Sequence, residues 1–492
     1  MGAVYPCAQG GERMKYTSVG EAAAALAQGE ITSTALTEEL LDRIHTSPYG
    51  AYLTVCDDAA MAAAEKADML RQKDPTGVHP LCGIPYSLKD NFLTAGIRTT
   101  CASRILADFV PQYDAAAYEK LRNCGAVLVG KTDMDEFAMG SAGHYSALGH
   151  CVNPLDPTKS AGGSSTGAAA SVAAGEAYFA LGSDTGGSAR QPASFCGLVA
   201  MKPTYGLVSR FGLVEFASSM DTVCPITRTV ADNRLVLSAI AGPDARDRTT
   251  IASELHMDRS ASALTDLRVG VMAGYAAFCD AATVRAAERI VSILKETGAI
   301  VTTVPLPPPE IAVDVYVTTA AAEASSNLAR YDGIRYGGGA AGETFAEAVT
   351  NARTTGLGVE VKRRILAGKY ALSSVLNGDY YRRVAAVRAK IGREIEEILQ
   401  TVDVILLPTA ATVAFPTVSP GEDPNTLYES DAFTVYANLT GLPAIQIPSG
   451  GDGKLPCGVS FLGRRCAEAL LYRVAAYCEQ MTEPYRAEWR CV

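Results

Sequence analysis

Between residues 15 and 75 apolar positions recur about every 3.6 residues, the spacing of amphipathic helices. Leu36, Leu40, Leu41 and Ile44 mark one face within 34–45, and Ser18 with Glu21 three residues on makes a capping-box pair. This part is predicted as a helical N-terminal extension covering 1–75. From Cys82 the pattern changes to short apolar runs broken by Gly and Pro, the habit of buried strands. Such runs occupy 83–90 (GIPYSLKD), 126–130, 267–272, 299–304, 402–408 (VDVILLP), 444–448 and 459–462. Helices are expected at 115–123, 281–297 and 467–479, with a helical insertion at about 307–399. Strands alternating with helices on a continuous core predict an α/β chain. The layers should be α/β/α around a central mixed sheet, in a single domain over 76–492.

Composition narrows the class. The chain has 492 residues, 48% hydrophobic and 20% charged, enough to bury a large core. A net charge of −10 argues against a broad surface for gripping phosphates. The 13 cysteines are scattered without a C-x-x-C, which favours reduced thiols over a disulfide framework or a zinc site. Cys82, Cys196 and Cys224 lie in apolar or glycine-rich sequence and read as buried structural thiols. Residues 1–13 lack an apolar h-region, and no 18-residue apolar run appears. A cytoplasmic location without membrane contact is the expectation.

The chemistry concentrates in 160–206, where two glycine-serine loops bracket a tiny-residue segment, 167–175, expected to be helical. Glycine allows close backbone approach, so both loops can turn N–H groups toward a bound group. Gly163-Ser164-Ser165-Thr166-Gly167 matches G-x-S-x-G, but a hydrolase triad needs a downstream histidine. Of the five histidines only His256 follows, in the polar stretch ASELHMDRS. No G-K-[ST] follows the loop, and no histidine joins a metal-ligand pattern, so neither a nucleotide nor a metal site is expected. A serine nucleophile without histidine needs another base, and a neutral lysine can serve. Lys89 is the candidate, at the end of an apolar run. Burial must bring its pKa from about 10.4 into the neutral range. A surface lysine paired with Asp90 is the alternative that the sequence alone leaves open.

Lys89, Ser164 and Ser188 stand 75 (164 − 89) and 24 (188 − 164) residues apart. With Gly162-Gly163-Ser164-Ser165-Thr166-Gly167 and Asp184-Thr185-Gly186-Gly187-Ser188-Ala189-Arg190-Gln191-Pro192, the chain resembles the amidase-signature family. That resemblance implies the amidase-signature fold, with Ser188 as nucleophile, Ser164 as bridging serine and Lys89 as base. It also implies a cis peptide bond before Ser164 and an oxyanion hole of backbone N–H groups at Thr185, Gly186, Gly187 and Ser188. Asp184 and Arg190 would brace the loop, and Ser165 would be structural or assist the relay.

Within the family the chain is most similar to the glutamine-hydrolysing A subunits of tRNA-dependent amidotransferases. The similarity rests on KTDMDEFAMGS (131–141), KPTYGLVSRFG (202–212), EASSNLARYDGIRYG (323–337), EVKRRI (360–365) and DAFTVYANLTGLP (431–443). It implies glutamine held by Tyr316, Arg364 and Asp431, with Arg363 adjacent to the chosen arginine. A guanidinium suits the α-carboxylate and a carboxylate the α-ammonium. It further implies B and C subunits as partners, ATP and magnesium at a partner subunit rather than in this chain, and tRNA met mainly through the partner. The product would be Gln-tRNA(Gln), Asn-tRNA(Asn) or both. A stand-alone amidase for another small amide, or a scaffold that has kept the fold, are the competing readings. Four departures stand out: 141–146 reads SAGHYS where those subunits read like S-S-T-E-N-S, Thr166 replaces a glycine, Ala189 an isoleucine, and Tyr436 a proline.

Overall fold

The computed structural model describes residues 14–75, 77–252, 264–373, 379–417 and 430–484. Its strands are β1 (Tyr52–Val55), β2 (Pro85–Lys89), β3 (Val127–Thr132), β4 (Phe179–Asp184), β5 (Val199–Lys202), β6 (Thr222–Thr227), β7 (Arg268–Met272), β8 (Ile300–Val304), β9 (Val404–Pro408), β10 (Ala444–Gly451) and β11 (Pro456–Gly463). They form one sheet of 11 strands in the order β1-β3-β2-β4-β6-β5-β10-β11-β9-β7-β8. The sheet is mixed. β3-β2-β4 and β9-β7-β8 are parallel, and every pairing from β4 through β6, β5, β10 and β11 to β9 is antiparallel. Helices on both faces of one mixed sheet match the predicted α/β/α layering.

Helices α1 (Val19–Gln28), α2 (Ser33–Thr46) and α3 (Asp57–Lys73) come first, followed by α4 (Ala116–Asn123), α5 (Thr166–Ala173), α6 (Arg190–Phe195), α7 (Val230–Ile240) and α8 (Ala281–Glu296). Between β8 and β9 lie α9 (Pro309–Asn327), α10 (Phe345–Gly356), α11 (Val359–Ala371) and α12 (Asp379–Thr401). α13 (Val435–Thr440) precedes β10, and α14 (Glu468–Thr482) follows β11. Alternation along β4 shows how the layers divide. Phe179 and Leu181 enter a core shared with α1, α4, α7 and α8, while Ala180 faces Ala168, Ala169 and Ala193 of α5 and α6. The capping box is formed, with Ser18 Oγ accepting from Glu21 N–H at 3.1 Å.

The extension 1–75 is not wholly helical. Tyr52-Leu53-Thr54-Val55 is aromatic and β-branched enough to extend, and as β1 it pairs antiparallel with β3 at the sheet edge. β5 and β6 also lie outside the sequence expectation. β5 has only four residues, and β6 carries Pro225 opposite Leu181, a residue that argues against a central strand. Cys82, Cys196 and Cys224 are buried free thiols. No described helix is long and apolar enough to cross a membrane.

Candidate active site

β2 and β4 are parallel neighbours, with Leu88 opposite Leu181, so both deliver their C-terminal ends to one edge of the sheet. Ligands in such sheets gather beyond those ends. Lys89 is the last residue of β2, and the turn carrying Ser188 follows β4. α5 starts just after Ser164, and all eight of its residues are buried. Only a small-residue helix fits there. A Cβ on Gly167 would press the Asp133 backbone nitrogen at 2.6 Å.

Lys89 is fully buried, and its Nζ lies 2.8 Å from Ser164 Oγ and 2.9 Å from Ser183 Oγ. Ser183 Oγ also accepts from Asn91 Nδ2 at 3.0 Å. Burial draws the Lys89 amine down to about 7, against the opposing pull of Asp135, Asp184 and Asp221. A pairing with Asp90 is excluded, because Asp90 is committed to Lys131 at 3.2 Å and to Thr100. With the amine neutral, the Ser164 hydroxyl can donate to its lone pair.

The Gly163–Ser164 peptide bond is cis. Ser165 N–H donates to the Ser188 carbonyl at 2.9 Å, and Ser165 Oγ to the Ser183 carbonyl at 3.1 Å. Residue 188 is thereby tied beside the 164 loop through the backbone. Among the described residues no hydrogen bond joins the Ser164 and Ser188 hydroxyls. Catalytic contacts of this kind are often long before substrate arrives. Thr166 costs the loop nothing: it is the first residue of α5, and its hydroxyl closes on the Gly162 carbonyl at 2.7 Å.

Asp184 and Arg190 hold the turn that carries Ser188. The Asp184 carboxylate accepts from Gly187, Ala189 and Arg190 N–H, from the Arg190 guanidinium at 2.9 and 3.0 Å, and from Asn438 Nδ2 at 2.9 Å. Burial alone would raise its pKa, but the charge and hydrogen bonds of Arg190 keep it at about 2. One expected oxyanion donor is therefore spent. Gly187 N–H points to Asp184 at 2.9 Å, which leaves Thr185, Gly186 and Ser188 N–H as candidates.

Tyr316 from α9, Arg364 from α11 and Asp431 ahead of α13 converge on this turn, and all three are buried. A Cβ on Gly186 would overlap the Tyr316 ring and stand 2.5 Å from its hydroxyl. Thr434 Oγ1 donates to the Gly186 carbonyl at 2.5 Å. Arg364 is aimed by Glu360 at 2.6 Å and lies 5.3 Å over the Phe216 ring, whereas the Arg363 side chain is partly exposed. Asp431 accepts from Ser141 Oγ at 2.6 Å. Burial pushes the Asp431 carboxyl up to about 7 although Arg364 opposes the shift. Ser141 opens the segment that departs from the related subunits, so the departure borders this pocket. Tyr436, another departure, donates to the Pro307 carbonyl at 2.5 Å and ties α13 to the start of the inserted helices.

Ser141, Ser183, Asn91, Gln191 and Phe216 are given no role by the sequence expectation, although Ser141 and Gln191 lie within the segments that carry the resemblance. Their roles depend on contacts with residues far along the chain. His256 lies outside the described residues. Among the described residues no three His, Cys, Asp or Glu side chains gather as a metal site requires.

A family model described as Amidase matches residues 35–472. The chain belongs to the amidase family. Within the amidases it is 46% identical over 476 residues to the A subunit of glutamyl-tRNA(Gln) amidotransferase from Moorella thermoacetica, covering 96% of this chain and 98% of that one. The same subunit from an Exiguobacterium species is 46% identical over 461 residues, covering 92% and 95%. Among solved amidase structures, the crystal structure of that subunit from Thermotoga maritima superposes with a TM-score of 0.80 at 36% identity, covering 98% and 99%. The native peptide amidase of Stenotrophomonas maltophilia gives 0.81 at 29% identity, covering 97% and 99%.

Proposed function

We propose that this chain is the glutamine-hydrolysing subunit of a tRNA-dependent amidotransferase. The observation that carries the chemistry is the buried contact of Lys89 with Ser164 beneath the Ser188 turn. The pocket of Tyr316, Arg364 and Asp431 over that turn supports glutamine as the amide. Ser188 Oγ attacks the side-chain carbonyl carbon of glutamine. Its proton moves to Ser164 while Ser164 gives its own to the Lys89 amine. The developing O⁻ is met by N–H groups of Thr185, Gly186 and Ser188, each such donor being worth about 3–4 kcal/mol of barrier. The proton returns through Ser164 to the amide nitrogen, the C–N bond breaks, and ammonia leaves a glutamyl ester on Ser188. Water, deprotonated along the same path, then releases glutamate.

Arg364 would hold the α-carboxylate, Asp431 the α-ammonium, and Tyr316 would border the side chain. The ammonia would travel to a B subunit, where ATP and magnesium activate the tRNA-borne carboxylate, with a C subunit completing the complex. No cofactor is assigned to this chain. Its net charge of −10 suits a protein that meets tRNA mainly through its partners. The expected location is the cytoplasm, and the extension 1–75, the domain 76–492 and the insertion near 307–399 would fold as one unit.

The deciding experiment measures glutamine hydrolysis by the purified chain with and without B and C subunits, and by Ser188→Ala. Glutamine-specific turnover enhanced by the partners and lost in Ser188→Ala is expected. Strong partner-free turnover of aliphatic amides, indifferent to glutamine, would make it a stand-alone amidase. Undiminished activity in Ser188→Ala would remove the serine mechanism.

A further inference from the structure

Gln191 is fully buried in the first turn of α6, three residues beyond Ser188, and none of the steps above uses it. Its carboxamide makes three hydrogen bonds in different directions. Oε1 accepts from Gly163 N–H at 2.9 Å. Nε2 donates to the Ser141 carbonyl at 2.8 Å and to Ser430 Oγ at 3.1 Å. Gly163 N–H can only donate and the Ser141 carbonyl can only accept, so the partners fix which end of the amide is which. The packing is close as well, since a Cβ on Gly162 would come within 2.7 Å of Oε1.

These partners belong to different parts of the site. Gly163 leads into Ser164 through the cis bond. Ser141 gives its hydroxyl to Asp431, and Ser430 immediately precedes Asp431. One side chain, rooted on the helix that follows the nucleophile, therefore holds the relay loop with its oxygen and the seat of Asp431 with its nitrogen. Asp431 and Ser188 lie 243 residues apart in sequence (431 − 188), so the chain itself does little to fix their separation.

We infer that Gln191 is a positioning residue that sets the Asp431 carboxylate at the right reach from the nucleophile, and so selects amides bearing an α-ammonium group. This rests on the reading of Tyr316, Arg364 and Asp431 as the glutamine pocket. Buried hydrogen bonds left half-made cost their full desolvation, so the seat would shift rather than stay unpaired. The oxygen arm acts on turnover and the nitrogen arm on recognition, and the two arms can be separated by substitution.

The test uses the complex with B and C subunits and two substrates, glutamine and glutaramate, the latter lacking only the α-amino group. Gln191→Met gives up both arms. It should lower kcat for both substrates and raise KM for glutamine about tenfold more than for glutaramate, the effect of losing one to two buried hydrogen bonds. Gln191→Glu restores an acceptor for Gly163 but no donors for the seat. It should recover most of the kcat while KM for glutamine stays high. Equal KM changes for the two substrates, or unchanged KM for both, would overturn the inference. Asp431→Asn is measured alongside. If it leaves the preference for glutamine over glutaramate intact, the pocket reading is what fails. Should Gln191→Met not fold, Ser141→Ala, which removes only the hydroxyl on Asp431, must still raise KM for glutamine selectively, and its failure to do so overturns the inference.

Discussion

Lys89 Nζ rests 2.8 Å from Ser164 Oγ with both side chains fully buried, at the point where β2 runs out and the cis loop begins. A charged amine is poorly tolerated there, because burial removes water that nothing fully replaces. The same burial makes the amine a usable base near neutrality. Two consequences can be measured, one on rate and one on stability.

Burial lowers the Lys89 pKa to about 7, and in the proposed mechanism the neutral amine is the active form. kcat/KM for glutamine should therefore rise as pH increases through about 7 and level off above it. Asp431, raised to about 7, would have to be ionised to hold the glutamine ammonium as proposed, and so acts in the same direction. A pH–rate profile on glutamine should be steeper below pH 7 than one on glutaramate, which does not need Asp431.

Lys89→Met should abolish turnover, by a factor of at least about a thousand. It should also stabilise the fold at low pH. The unfolded lysine keeps its proton to about 10.4 and the folded one only to about 7, so Lys89 destabilises the protein fully below pH 7, and this is relieved as pH rises toward 10.4. The gain from Lys89→Met should reach the order of a few kcal/mol at pH 6 and shrink at pH 10. Denaturant titrations at the two pH values read this out.

Gly186→Ala places a methyl in the Tyr316 ring. The protein should fold, since the overlap is confined to the pocket, but KM for glutamine should rise at least about tenfold. Adding Tyr316→Ala should recover part of the loss, and steady-state kinetics of the single and double variants check this coupling.

Asp184→Asn strips the charge from a carboxylate that serves Gly187, Ala189, Arg190 and Asn438 at once. Arg190 would be left as a buried cation without its counter-ion. Breaking a buried pair in this way costs about 3–5 kcal/mol, to be seen as a lowered denaturation midpoint. Activity should fall with it because the Ser188 turn loses its brace.

Glu176 is buried beside Ser47, and its Oε2 has no partner among the described residues. Burial raises its pKa to about 8. The native state keeps this proton up to about 8 while the unfolded chain releases it near 4.3, so stability falls as pH climbs between those values. Glu176→Gln should raise the melting temperature at pH 8 and leave it nearly unchanged at pH 4.

Much of this architecture follows from local pattern. The 3.6-residue repeat at 34–45 is sufficient for α2, and the runs at 83–90 and 402–408 for β2 and β9. The lack of a usable downstream histidine and the place of Lys89 at the end of an apolar run point to a lysine base, the resemblance carried by the two loops adds Ser164 and Ser188, and Lys89 and Ser164 meet directly. β1 is hidden because four residues between two strong helices carry little signal of their own. β6 is hidden by Pro225, which the sheet accommodates in its interior. The family resemblance implies four backbone donors for an oxyanion at 185–188, but an aspartate three residues upstream of Gly187 claims one of them. Gln191 and Ser141 lie within segments that carry the resemblance, but nothing in the sequence gives either a role, because an amide or hydroxyl gains one only from what the fold sets beside it.

The Ser188 turn is clamped from behind by residues that come late in the chain. Arg190 donates to the Thr434 carbonyl at 3.0 Å and to Asn438 Oδ1 at 2.8 Å, and Thr434 in turn closes on Gly186. A ribosome-bound nascent chain that has not yet released α13 cannot assemble this clamp, even with Lys89, Ser164 and Ser188 already outside the exit tunnel. The turn that carries Ser188 therefore gains these three contacts only after residues 434–438 have been made.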